Sequence, residues 1–167
     1  MNQARTATVE RKTKETKIRV FVNLDGTGKS DVNTGIGFLD HMLDQLAFHG
    51  LLDLEVHCDG DLHIDGHHST EDLALALGQA VREALGDKQG IQRFGHAYIP
   101  MDEALLRCVI DLSGRPEFVF QGKFTQPAIG QLDTQLIPHF FKSFALTSAS
   151  CEASNSTISS TRADLAS

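Results

Sequence analysis

The segment Asp65-Gly66-His67-His68-Ser69-Thr70-Glu71-Asp72 puts two imidazoles and several carboxylates within about one helical turn of each other. His67 and Glu71 are four residues apart and His68 and Glu71 three, spacings that share one face of a helix. Imidazole with carboxylate, and no thiolate, suits manganese, iron, zinc or nickel. Neighbouring histidines on a helix diverge by about 100°, so the pair serves two different metals or two faces. The same residues also describe a solvent-exposed helix start, where acidic side chains favour the positive end of the dipole. A zinc-protease reading is excluded, because no His-Glu-x-x-His stands on a helix.

Other candidates are more isolated. His41 lies in GFLDHMLDQLAFHG, a helical pattern of Leu, Met and Phe, with Asp40 and Asp44 beside it. His139 occupies the comparable place in LIPHFFKSFAL. Arg93 and Arg115 are cations near turns, and Arg115 follows Ser113-Gly114 in a loop suited to an anion, which a guanidinium holds by two hydrogen bonds. Each taken alone equally describes a surface arginine in an ion pair. Glu15 is a charged residue at the start of a strand. His49, His57, His63 and His96 carry no comparable support.

The elements that must position these groups follow from hydrophobic periodicity. Ile18, Val20, Val22 and Leu24 alternate as in a half-buried strand, followed by glycines that mark a loop. Leu39, Met42, Leu43, Leu46 and Ala47 fall at helical spacing, with Gly50 as the stop. Leu52, Leu54, Val56 and Cys58 alternate again. Ser69 followed by Asp72 has the form of a helix N-cap with an acidic third residue, and Leu73, Leu77, Ala80, Val81 and Ala84 continue that helix. Gly86 and Gly90 bracket a linker. A strand is expected from Ala104, another in EFVFQGKF, and a helix in residues 134–146, with Pro138 marking a kink or the helix start.

The second part repeats the first. Glu15-x-x-Ile18-Arg19-x-Phe21-x-x-Leu24-x-Gly26 aligns with Glu103-x-x-Leu106-Arg107-x-Val109-x-x-Leu112-x-Gly114 at an offset of 88 (103 − 15). His41 aligns with His139 at an offset of 98 (139 − 41). Two stretches in the same order favour an internal duplication. A second His-His-x-x-Glu is then expected after His139, and residues 147–167 do not contain it. Ten of those 21 residues are Ser or Thr, and only Ile158 and Leu165 are large aliphatics. The composition predicts a disordered or loosely packed tail. Residues 1–90 are therefore read as a first half-domain with the metal cluster, 91–146 as an incomplete second half, and 147–167 as an atypical Ser/Thr-rich tail.

Composition bounds the partners. Fifteen Lys and Arg against 22 Asp and Glu give a net charge of −7, which argues against nucleic acid or an anionic membrane surface as partner. No apolar run reaches the length of a membrane span, and the polar N-terminal residues do not resemble a signal peptide. Three widely spaced cysteines argue against a disulfide framework and for a reducing cytoplasm. Cys58 and Cys108 read as small buried hydrophobes.

DGHHSTED, with GFLDHMLDQLAFHG upstream and the His139 helix downstream, resembles the imidazoleglycerol-phosphate dehydratases of histidine biosynthesis over residues 3–148. The resemblance implies an α+β fold of two duplicated half-domains, each a mostly antiparallel sheet with helices packed on one face, the second half here truncated. It implies paired Mn2+ ions lying between subunits and a large symmetric homo-oligomer, a shell of two dozen chains. By this resemblance His41, His67, His68, Glu71 and His139 match metal ligands. Glu15, His41, His67, Arg93 and Arg115 match substrate contacts, the arginines chiefly through phosphate. Glu15 and Glu71 match the candidates for acid–base work. The implied reaction eliminates water from imidazole glycerol phosphate to give imidazole acetol phosphate; metals on the ring nitrogens would favour an imidazolate able to expel hydroxide. The chain departs from the family pattern in its second cluster and in the Ser-x-Lys that follows it. Impaired activity is the resulting expectation. The alternative is a non-catalytic metal-binding or assembly subunit.

Overall fold

The computed structural model describes residues 4–148 and 155–162. Strands β1 (Thr6–Lys12), β2 (Thr16–Asn23) and β3 (Ser30–Asn33) precede helix α1 (Gly37–Gly50), strand β4 (Asp53–Gly60) and helix α2 (His67–Leu85). Strands β5 (Phe94–Met101), β6 (Ala104–Asp111) and β7 (Glu117–Gln121) follow, then a small hairpin of β8 (Ala128–Ile129) and β9 (Leu132–Asp133). Helix α3 (Leu136–Ser148) and strand β10 (Asn155–Arg162) complete the described chain.

The duplication is visible in the strand order. The first sheet runs β1-β2-β4-β3 and the second β5-β6-β10-β7. In the first, β4 pairs antiparallel with β2 and parallel with β3; in the second, β10 pairs antiparallel with β6 and parallel with β7. The registers correspond as well. Val9 opposes Val20, Val20 opposes Val56 and Val56 opposes Val32. The matching positions are Ala97, Cys108, Ile158 and Phe120.

In the first half, α2 lies over one face of the sheet, and alternation does the rest. Val9, Ile18, Val20, Val22, Leu54 and Val56 meet Leu73, Ala74, Leu77 and Ala80 in one core. Burying Leu73 and Leu77 contributes about 1.5–3 kcal/mol each. In the second half no described helix takes the place of α2. Ile18 and Val22 are 2% and 0% exposed, whereas their counterparts Leu106 and Ile110 are 40% and 39% exposed. On the helices the same asymmetry holds. Phe140 of α3 is buried, while Met42, its counterpart on α1, is exposed.

Several expectations need correction. Residues 155–162 of the Ser/Thr-rich tail run as a strand between β6 and β7. Those two strands otherwise present facing rows of unpaired backbone donors and acceptors, a demand that composition does not register; the rest of 149–167 lies outside the described residues. Ser69 is not an N-cap, for α2 begins at His67. Gly66 occupies the cap position without a side-chain cap, and Asp65 Oδ1 accepts from the His67 backbone N–H at 2.8 Å. Ser69 is buried instead. Pro138 lies in the first turn of α3, where its missing N–H costs nothing and no kink is required. Strands β1, β3 and β5 have no counterpart in the periodicity. In β1 burial alternates, but Val9 is the one buried apolar residue, its inward neighbours being Ala7 and Arg11. Strand β5 is exposed along its length, so neither gives a hydrophobic alternation in the sequence.

Candidate metal centre

His67 opens α2 and Glu71 lies one turn further, so helical geometry sets their Nε2 and Oε2 3.5 Å apart. His139, in the first turns of α3, comes to 3.6 Å from the same Glu71 oxygen. The two imidazole centroids are 4.7 Å apart, and the three ligand atoms lie within 4.8 Å of one another. Close packing of α2 on α3 makes this meeting possible. A methyl built on Gly78 would come within 2.5 Å of the Phe144 carbonyl oxygen, so glycine allows the backbones to approach. Since Gly78 meets Phe144 while His67 and Glu71 meet His139, the two helices run parallel, and both N-termini converge at the cluster. Their positive dipole ends favour an anion held there.

The donors fit a cation. Separations of 3.5 and 3.6 Å are long for hydrogen bonds and close to the roughly 3.0–3.4 Å between two ligands each about 2.1 Å from one ion. His139 Nε2 is buried and has no hydrogen-bond partner among the described residues, a costly arrangement unless something accepts its proton or its lone pair. With three protein ligands, coordination positions stay open. A cleft of about 360 Å3 opens beside His67, bounded by Ile36, Leu62, Asp65, Gln135 and Leu136.

His68 turns elsewhere. Its Nδ1 is 2.9 Å from Asp61 Oδ2, and its ring is tilted 73° from that of His67. The Asp61 hydrogen bond raises the His68 pKa above the usual imidazole value, with a smaller contribution from the charge of Glu15. Glu15 stands in the β1–β2 turn and borders the same shallow cleft as Asp61. Asp72 holds that turn in place. Its carboxylate accepts from Thr16 Oγ1 at 2.6 Å, from Arg11 Nε at 2.9 Å and from Thr13 Oγ1 at 3.2 Å. Burial works to raise the Asp72 pKa, but these bonds outweigh it and the group sits below the usual carboxylate range.

Other candidates are placed apart. His41 is exposed on α1 and touches the ring of Phe38, outside the His67–Glu71–His139 group. Asp40 beside it binds the Thr34 backbone and hydroxyl at 2.7 and 2.6 Å, which fixes the entry to α1. Arg93 makes a two-pronged pair with Asp111 at 2.7 and 3.1 Å and lies over the Phe94 ring. Arg115 is exposed, and its charge also bears on Asp111. Among the described residues, only Arg93 forms a direct ion pair with Asp111. Both cysteines are half-buried rather than buried, Cys58 against the core and Cys108 on the second sheet. Burial pushes the Cys58 thiol up to about 11 and raises Cys108 as well, which disfavours the reactive thiolate. Asp61 escaped the sequence reading and Asp72 entered it only as an acidic residue at a helix start, because a carboxylate that supports another residue has no spacing signature.

Fold and site together define a duplicated α+β protein with a His–Glu–His centre between two helices, the donor set of a metal-dependent enzyme. A family model described as imidazoleglycerol-phosphate dehydratase matches residues 34–158. The imidazoleglycerol-phosphate dehydratase of Hydrogenovibrio crunogenus is 60% identical over 140 residues, covering 84% of this chain and 72% of that protein. That of Paracidovorax citrulli is 61% identical over 140 residues, covering 84% and 67%. The crystal structure of imidazoleglycerol-phosphate dehydratase from Staphylococcus aureus superposes with a TM-score of 0.82 at 34% identity, covering 94% of this chain and 84% of that one. The enzyme from Pyrococcus furiosus, solved in complex with (S)-C348, gives 0.76 at 30% identity, covering 92% and 80%. The chain belongs to the imidazoleglycerol-phosphate dehydratase family, hydro-lyases of histidine biosynthesis. No helix among the described residues is long and apolar enough to cross a membrane.

Proposed function

We propose that this chain carries out the metal-dependent elimination of water from imidazole glycerol phosphate to imidazole acetol phosphate, with Mn2+ as the cation, in the cytoplasm. The observation that carries the reading is the convergence of His67, Glu71 and His139 on one point with a buried, unpartnered imidazole nitrogen. His67, Glu71 and His139 would hold the ion, with His41 and His68 as donors toward further ligands. When bound, it supplies Lewis acidity toward the substrate's imidazole nitrogens.

The remaining work belongs to the protein. Glu15, in the turn that Asp72 braces, is the carboxylate suited to take the carbon-bound proton, with Glu71 as the other candidate. The departing hydroxide leaves with a proton as water, and the enol that remains becomes the ketone. Arg93, now paired with Asp111, and Arg115, whose charge bears on the same carboxylate, suit a phosphate that would compete with Asp111 for the guanidinium groups. His41 and His68 find no completing ligands among the described residues, and this motivates two parts of the proposal: sites shared between chains in a large symmetric homo-oligomer, and low turnover by this chain.

The test is a dehydratase assay on the purified chain with imidazole glycerol phosphate and added Mn2+. Product formation that depends on Mn2+ and disappears in His67→Ala is expected. Turnover that survives His67→Ala unchanged would overturn the assignment of the site, and Mn2+ binding without any turnover would leave a metal-binding subunit.

A further inference from the structure

The adjacent histidines are held by different means. His67 is constrained by Glu71 and His139. Among the described residues, His68 has from α2 itself only an edge contact with the His67 ring and no side-chain hydrogen bond. The constraint comes from Asp61, in the turn between β4 and α2, whose Oδ2 is 2.9 Å from His68 Nδ1. Asp61 is 12% exposed and His68 45% exposed as side chains, so a largely buried carboxylate supports an accessible ring. An ionised carboxylate can only accept, which puts the proton on Nδ1 and leaves the Nε2 lone pair free. A carboxylate behind an imidazole is also the arrangement that fixes ring orientation and raises basicity at metal centres. Because the His68 nitrogens stand outside the His67–Glu71–His139 group, that lone pair is available to a different ion.

We infer that Asp61 is a positioning residue that fixes His68 as the Nδ1–H tautomer, with Nε2 presented as a ligand for a first-row divalent cation separate from the His67–Glu71–His139 centre. The inference rests on the metal reading proposed above. Asp61 touches neither substrate nor metal; it acts through His68 alone.

Two readouts test it. Long-range proton–nitrogen correlation spectra of the metal-free, 15N-histidine-labelled chain should give the Nδ1–H tautomer for His68. Asp61→Ala should shift it toward Nε2–H, the form free imidazole prefers. Mn2+ titration should resolve binding at His68 that weakens about 10–100-fold in Asp61→Ala, while binding at the His67 cluster is unchanged. Asp61→Asn, whose side-chain oxygen still accepts, should restore the tautomer and part of the affinity; it also decides the matter should Asp61→Ala fail to fold. An Nε2–H tautomer in the unmodified chain would overturn the inference, as would wild-type Mn2+ affinity in both folded variants. Retained Mn2+ binding with no effect of Asp61 sinks this inference alone. Absence of Mn2+ binding in the unmodified chain sinks the metal reading with it.

Discussion

Glu71 of α2 and His139 of α3 bring a carboxylate oxygen and an imidazole nitrogen to 3.6 Å from opposite halves of a duplicated chain. Neither half holds this pair alone, so the centre reports directly on how α2 and α3 pack.

Removing either partner tests that dependence. His139→Ala or Glu71→Gln should weaken Mn2+ binding at the cluster by at least the about 100-fold that losing an outer-shell partner can cost. Without metal, His139→Ala should leave stability nearly unchanged, because it also removes an unpartnered buried nitrogen. Calorimetric titration and thermal unfolding of the metal-free chain separate the two effects.

Metal occupancy should itself stabilise the fold, since the ligands assemble only when α2 and α3 are docked. At 100 times the dissociation constant, the gain is about 2.7 kcal/mol. Chelation should reverse it, and the unfolding midpoint of His139→Ala should no longer respond to added Mn2+.

Gly78 gives a second handle on the same interface. A β-carbon there meets the Phe144 carbonyl and the Ser148 backbone nitrogen, neither of which can rotate away. Gly78→Ala gains helix propensity of about 1 kcal/mol but overpacks the contact at about 1–3 kcal/mol. The expected outcome is a net loss of stability in denaturant melts, with weaker Mn2+ binding as α3 is pushed off α2. Higher stability would show that the helices separate more easily than the geometry implies.

Acid should unfold the metal-free chain partly through Asp72 and Asp25. Asp72 lies below its ordinary 3.8, and Asp25 is held at about 2, chiefly by the side chain of Arg5. Both groups thus have folded-state values below their unfolded ones. Their contribution is present above about pH 4 and is lost as pH falls through the folded values. A plot of midpoint against pH should decline below that range, and Asp72→Asn should flatten part of the decline.

The duplication predicts opposite tolerance at equivalent positions. Ile18→Lys and Val22→Lys would bury an unpaired charge under α2 and should abolish folding. Leu106→Lys and Ile110→Lys fall on the face of the second sheet that no described helix covers and should change stability by within about 0.5 kcal/mol. They should also reduce self-association and dye binding at that apolar face. Equal damage at both pairs would mean that the second face is covered in solution.

Much of this was legible because local periodicity and side-chain chemistry are properties of neighbours in sequence. The alternation of Ile18, Val20 and Val22 announces β2, and the helical spacing of Leu39, Leu43 and Ala47 announces α1. His67 and Glu71 declare themselves by four-residue spacing on a helix. Strands β1 and β5 left no such trace, because an edge strand with one buried apolar residue or none has no hydrophobic alternation to read. The strand at 155–162 was hidden for a related reason. What calls for it is the row of unpaired backbone groups on β6 and β7, which no side chain in the tail records.

The sequence alone determined the duplicated plan, the family, and the residue types able to bind a metal, all of them encoded by short spacings or by resemblance. Only the tertiary structure decided which of those residues meet. It joined His139 to His67 and Glu71, left His41 apart on α1, and turned His68 toward Asp61. Packing made these choices, since a contact between distant residues depends on how closely two helices approach, here set by Gly78, and on which buried carboxylate lies behind each ring.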